Sequence, residues 1–204
     1  DGVVKIENSH TKLMTKGITF TFFYSQRYQC IFVGFQKGVG YFEYRNRKLG
    51  AFRRIPEVDE EIRAITEDAD GHIWLGTRLQ HLLRLEFPQG LNFPARISRY
   101  NESHGLLTSR IFTAHVDNQI VFLSNKATYR FDLSNNRFIV DTNILSGSTF
   151  RTVYAIKESK DQKIWMISHE NKLTSGIGYF QKSYDGSRHW HYRPFLRLPA
   201  DPYY

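Results

Sequence analysis

His189 and His191, two residues apart in Arg188-His189-Trp190-His191-Tyr192, are the first side chains whose spacing suits chemistry. Alternate side chains of a strand share a face, so both imidazoles would point the same way, as two metal ligands must. No third ligand is identifiable, and the pair reads as solvated or hydrogen-bonded. Asp68-Ala69-Asp70-Gly71 opens like a calcium loop but lacks the distal bidentate Glu. It reads instead as a tight turn with Asp and Gly in their ordinary roles. The sequence holds no Gly-rich phosphate loop, no Gly-x-Ser-x-Gly elbow and no His-Glu-x-x-His zinc motif. No catalytic residue, metal or cofactor is therefore assigned. Trp190 stands out as an indole outside any repeat that could stack on a sugar ring.

Charge narrows the partners. Twenty-eight Lys and Arg against 20 Asp and Glu give a net charge of +8, which favours the approach of anions. The excess is dispersed, and its densest stretch, Arg45, Arg47, Lys48, Arg53 and Arg54, alternates with apolar residues as a solvated edge strand would. With no nucleic-acid-binding motif beside it, the charge does not imply a nucleic acid partner. Hydrophobic residues at 41% are enough for a core, and no apolar run reaches the ~18 residues of a membrane span. The chain reads as soluble, attached to a membrane only through a longer parent protein. It opens at Asp1 without an initiator Met or a leader, so a targeting segment is expected to have been removed or to lie outside it. Cys30, the one cysteine, excludes an intrachain disulfide and reads as a buried strand residue in Cys30-Ile31-Phe32-Val33.

The elements that position all these residues repeat. Ile31-Phe32-Val33-Gly34, Ile73-Trp74-Leu75-Gly76, Val121-Phe122-Leu123-Ser124 and Ile164-Trp165-Met166-Ile167-Ser168 share large apolar residues closing on a small one. Their aromatic anchors, Phe32, Trp74, Phe122 and Trp165, are 42, 48 and 43 residues apart, the spacing of propeller blades. Strands at 18–24, 62–67, 111–116 and 153–158 precede the anchors; strands at 39–44, 81–86, 127–132 and 177–181 follow them. A fourth strand closes each repeat, at 51–55, 96–100, 137–141 and 189–195. The fold class is therefore all-β: a β-propeller fragment of four four-stranded antiparallel blades, with partial blades at both ends. The blades span about 17–56, 57–102, 103–145 and 146–195 of one propeller segment. Residues 1–16 form a partial blade whose third strand is Gly2-Val3-Val4-Lys5-Ile6, and 196–204 begin the next. The fragment is expected to be cut mid-ring, with the remaining blades supplied by the parent.

The run from Ile65 through Glu67, Asp68, Gly71, Ile73, Trp74 and Gly76 to Thr77 resembles the repeat of two-component regulator propellers: an acidic turn, Gly, one residue, Ile-Trp, an apolar residue and Gly-Thr. Residues 156–168 are a looser copy without the turn glycine, and His104-Gly105-Leu106-Leu107 resembles the Gly-Leu-Pro element that often opens a blade in these proteins, with Leu107 where Pro is usual. The similarity covers nearly the whole chain, with the second repeat its most specific part. It implies the periplasmic sensor region of a hybrid histidine kinase, often tied to polysaccharide use and commonly followed by a triple-tyrosine immunoglobulin-like domain.

A ligand is expected on the rim where each blade's second and third strands turn. There the sequence places Arg78, Gln80 and His81, then Asn125 and Lys126, then His169, Asn171 and Lys172, donors suited to a hydroxyl-rich or anionic ligand such as an oligosaccharide. Trp190 joins this candidate set. The favoured reading is a non-enzymatic extracytoplasmic ligand-sensing module, with a homodimer as a candidate assembly. The alternatives are a lyase-type propeller enzyme, which would need a converging His and acid, and an interaction scaffold, which would need a broad aromatic patch. Fold analogy does not choose among them.

Overall fold

Successive side chains of a strand point to opposite faces, so the consecutive apolar residues of Ile73-Trp74-Leu75 and Ile31-Phe32-Val33 make strands that can be buried on both, and the chain is built almost wholly from strands. The computed structural model describes residues 1–79, 81–107, 111–117, 119–124, 127–142, 152–171 and 174–193, with 152–155, 168–171 and 174–176 described by their main chain alone. The chain divides into two units, Asp1–Tyr100 and Asn101–Tyr204.

In the first unit a hairpin of β1 (Gly2–Glu7) and β2 (His10–Lys16) forms a two-stranded sheet. Two four-stranded antiparallel meanders follow. One is β3 (Thr19–Ser25), β4 (Cys30–Phe35), β5 (Val39–Arg45) and β6 (Lys48–Ile55); the other is β7 (Ile62–Glu67), β8 (Ile73–Thr77), β9 (Leu82–Glu86) and β10 (Arg96–Tyr100). Strand β7 lies against β3 and β4, so first strands are neighbours. Between the two sheets Phe32, Val39 and Tyr41 meet Ile62, Ile73, Leu75, Leu83 and Leu85 in one core.

The second unit repeats the plan. It holds β11 (Phe112–Val116), β12 (Gln119–Leu123), β13 (Thr128–Asp132) and β14 (Arg137–Val140), then β15 (Thr152–Glu158), β16 (Ile164–Asn171), β17 (Thr174–Lys182) and β18 (Arg188–Tyr192). First strands again lie side by side, β15 along β11. These four meanders are the four blades expected, and the β1–β2 hairpin is the partial one. The segment after residue 193, read as the start of another blade, lies outside the described residues.

One anchor departs from the expected register. The turn after the second strand closes with Phe35 N donating to Gly38 O, Thr77 N to His81 O, and Ser124 N to Ala127 O. Ser124 is thus the counterpart of Phe35 and Thr77, not of Gly34 and Gly76. Val121 therefore takes the place of Phe32 and Trp74, and Phe122 is displaced by one residue. In a strand one residue changes the face. Val121 and Leu123 enter the core shared with Ile164 and Met166, while Phe122 turns to the opposite face and meets Phe138 edge-on at 4.9 Å. Gly105, just before that face, adopts φ 93°, and a Cβ there would fall 2.3 Å from the Phe138 carbonyl. The backbone conformation and the close approach both require glycine.

Cys30 is fully buried in the first unit's core, where burial, reinforced by Glu67 and Glu43, pushes its thiol up to about 12. Thiol reagents attack the thiolate. At pH 8 the native protein is expected to leave Cys30 unmodified by a chromogenic disulfide while the denatured chain reacts at once; titration of one thiol per chain without denaturant would contradict this packing.

Candidate functional site

Two polar assemblies stand out, at opposite ends of the second blade. The first is the turn between β7 and β8. Asp68 Oδ1 accepts from the main-chain N–H groups of Asp70 at 3.1 Å and His72 at 2.8 Å. Its Oδ2 lies 2.9 Å from His72 Nδ1 and accepts from Trp74 Nε1 at 2.9 Å. The carboxylate thereby ties the turn to the buried indole. Gly71, at φ 91°, completes the turn, and the preceding blade clamps it: Arg27 donates to the carbonyls of Ala69 and Asp70, and Tyr28 Oη to that of Gly71 at 2.9 Å. Asp68, Asp70 and His72 also bring three ligand-type atoms within 4.8 Å of one another. The three N–H groups that donate to Asp68, from the Asp70 and His72 main chain and the Trp74 indole, give that carboxylate a structural role, as the sequence reading of a tight turn expects.

The fourth blade makes the same turn with different residues. Ser159 N donates to Lys163 O, and Gln162, at φ 60°, replaces the glycine and donates to Ser159 O. Hydrogen bonds from Lys163, then Ser159, hold the exposed Asp161 carboxyl down to about 2. Ser159 is too short to repeat the carboxylate-to-indole link; Trp165 is partly buried, its ring 4.8 Å from Tyr179.

The second assembly is the rim at the other end. First strands carry one extra residue beside it, with register shifts between Thr19 and Thr21 and between Ile62 and Ala64. Such bulges re-aim side chains. The two extra residues are Phe20 and Arg63, and the Arg63 guanidinium lies 3.6 Å above the Phe20 ring, a cation–π stack. Glu61, mostly buried, holds Arg63 through one carboxylate oxygen and reaches Arg78 Nη1 at 3.5 Å with the other. A bulge recurs between Val153 and Ala155 in the fourth blade.

Of the residues proposed for this rim, Arg78 and His81 are exposed, at the turn closed by Thr77 Oγ1 donating to the His81 carbonyl at 2.8 Å. His169 and Asn171 lie on the final stretch of β16, paired with Ser175 and Thr174 at the hairpin tip. Gln80, Asn125, Lys126 and Lys172 lie outside the described residues.

Trp190 does not belong with them. It sits on the outermost strand of its blade, opposite Phe180 with ring centroids 5.0 Å apart, and packs over Gly178, where an added Cβ would fall 2.3 Å from the indole. Its role is packing, since a ring held over glycine on a core face cannot also offer that face to a sugar. His191 stacks on Tyr179 at 5.0 Å and His189 Nε2 lies 3.1 Å from Ser187 Oγ, so the two imidazoles are engaged separately. Sequence reasoning missed Phe20, Glu61 and Arg63. Only the bulge gives them their direction, and it has no residue signature.

Residues 56–78 match the family model described as two component regulator propeller. This segment contains both the Asp68–Trp74 link and the rim residues Glu61, Arg63 and Arg78. No curated protein matches the sequence. Among solved structures, a streptogramin B lyase is 16% identical with a TM-score of 0.62, aligned over 94% of this chain and 61% of the lyase. An inactive virginiamycin B lyase from Staphylococcus aureus, with quinupristin, is 17% identical with a TM-score of 0.61, over 94% and 62%. The extracellular domain of a putative hybrid two component system from B. thetaiotaomicron is 16% identical with a TM-score of 0.57, over 94% of this chain and 24% of that one. The chain therefore spans less than two thirds of each, and at these identities the likeness speaks for the fold.

Asp68→Ala is expected to cost about 1–3 kcal/mol by removing the acceptor of a buried indole N–H, and Trp74→Ala about 3–5 kcal/mol. In a denaturant double-mutant cycle, Trp74→Phe should cost less once Asp68 is Ala. Strict additivity would mean that the carboxylate and the indole act separately. From the Asp68–Trp74 turn and the match over 56–78, the chain carries a two component regulator propeller repeat within a β-propeller fold.

Proposed function

We propose that this chain is part of the extracytoplasmic, ligand-sensing propeller of a bacterial two-component system, non-enzymatic in itself. Its rim takes a hydroxyl-rich or anionic ligand, an oligosaccharide by preference. The observation that carries the reading is the regulator-propeller repeat at 56–78, which also builds the Glu61, Arg63 and Arg78 lip.

The lip suits such a ligand on chemical grounds. Arg63 is oriented in advance by its ring stack and by Glu61, so less rotamer entropy is lost on binding. Arg78 is more than half exposed and meets Glu61 only at 3.5 Å, leaving guanidinium N–H groups to donate to hydroxyl or carboxylate oxygens. The net charge of +8 helps an anion approach. Periplasmic placement, with membrane attachment through the parent protein, follows from the same reading, as does signalling to a histidine kinase. Ligand occupancy, or a second sensor subunit in a homodimer, would bias a conformational equilibrium that the kinase reads.

The test is calorimetric titration of the complete sensor region with neutral and uronate-bearing oligosaccharides. Arg78→Ala combined with Lys126→Ala is expected to weaken binding about tenfold or more, the scale of a lost charged hydrogen bond, while the unfolding midpoint stays put. Undiminished affinity, or exchange protection on the opposite end where Asp68 lies, would move the site. Consumption of the ligand during titration would favour the lyase reading instead.

A further inference from the structure

The turn between the third and fourth strands of a blade is short in three of the four blades: residues 46–47 in the first, 133–136 in the third and 183–187 in the fourth. In the second blade it runs from Phe87 to Ala95, longer than the roughly two to five residues that a hairpin uses. The extra residues fold back on the first blade. Leu91 and Ala95 pack against the core that the two blades share. Tyr41 Oη donates to the Leu91 carbonyl at 2.8 Å, and Arg53 Nη1 to Asn92 Oδ1 at 2.7 Å. Between this loop and the end of β6 a cavity of about 280 Å³ remains. It shares no residue with the Glu61, Arg63 and Arg78 lip, so a ligand here is independent of the one proposed for that rim.

The lining sets the class of ligand. Buried Tyr41, Ile55 and Phe87 form the floor, and exposed Pro56, Phe93 and Pro94 form the entrance. The floor ends a row of rings: Tyr28 lies 5.5 Å from Phe87, Phe87 6.2 Å from Phe32, and Phe32 5.9 Å from Tyr41. A further ring in the cavity would extend this row through the offset or edge-on contacts that aromatic pairs favour. Phe93, 53% exposed, adds an uncovered ring at the entrance. Charge at the mouth is balanced. Arg53, directly opposite Tyr41 and so on its face, has Glu43 at 3.8 Å and shares the lining with the exposed Glu57. Arg54 turns to the other face and donates to the Lys37 carbonyl. No excess of either sign selects an ion, while one guanidinium and one carboxylate can serve a hydroxyl as donor and acceptor. The volume falls at the small end of ligand pockets, about 300–1,000 Å³, which limits the occupant to one ring. We propose that this cavity binds an uncharged single-ring aromatic bearing a hydroxyl group. The ring lies against Tyr41, Phe87 and Phe93, and the hydroxyl sits at the mouth between Arg53 and Glu57.

The probe is 4-fluorophenol, whose fluorine resonance is followed as the complete sensor region is added. A saturable shift with a dissociation constant of about 1 mM or tighter is expected, with slowed amide exchange in residues 87–95. Phe93→Ala and Arg53→Met, both at exposed positions, are each expected to weaken binding about threefold or more with the unfolding midpoint held, the scale of one ring contact or one hydrogen bond. Phenol should displace the probe at least about threefold better than cyclohexanol, which has no π face, or benzoate, which is an anion. An absent or unsaturable shift, affinity unchanged in either variant, or displacement by cyclohexanol or benzoate as effective as by phenol overturns the proposal. Stronger displacement by an end-blocked Gly-Tyr-Gly peptide than by phenol would assign the cavity to a tyrosine side chain of a protein partner, and would overturn it equally.

Discussion

Apolar side chains on both faces of each blade impose one requirement on this protein: a four-stranded sheet is buried only when another sheet lies against each face. A sheet exposed on one side would leave several large residues in water, at about 25 cal/mol for each Å² of apolar surface. Stacking one meander on the next meets the requirement cheaply, because the connections stay short and first strands become neighbours. In the first unit, Ile6 of β1 and Phe22 and Tyr24 of β3 are exposed and show what a sheet face without such cover leaves in water.

Stacking alone does not hold successive sheets in register; polar links at their ends do. Arg27 and Tyr28, at the first turn of one blade, donate to three carbonyls of the equivalent turn in the next. Within that second turn, Asp68 converts a loop conformation into a position for Trp74. A mobile turn would leave the indole N–H to find its own partner, whereas here the carboxylate is fixed by two main-chain donors before the indole arrives. At the other end Glu61 does comparable work with Arg63 and Arg78. One end of the blade is thus closed on itself, with acceptors and donors matched. The other holds charged groups in place while leaving N–H capacity toward solvent.

What the sequence by itself determined is the repeat. The Ile-Trp-Leu-Gly segment, its preceding acidic turn and the spacing of its copies establish blades, strand order and the buried state of Cys30, because alternation and turn chemistry are local properties that residue types report directly. Arg78 and His81 were legible as rim residues for the same reason, being turn residues of a recognised unit. The tertiary structure decided what depends on register and on direction. Phe122 looked like an anchor because it is aromatic and two residues before a small one, yet the Ser124 turn closes one residue earlier than that reading assumes, and the strand presents its other face. Trp190 looked free because it fell outside the repeat, whereas packing over Gly178 claims its ring. Phe20, Glu61 and Arg63 carry no mark in the sequence, since a bulge is a mismatch between two strands and belongs to neither alone. Residue type is written in one strand; which way a side chain faces is settled only when two strands pair.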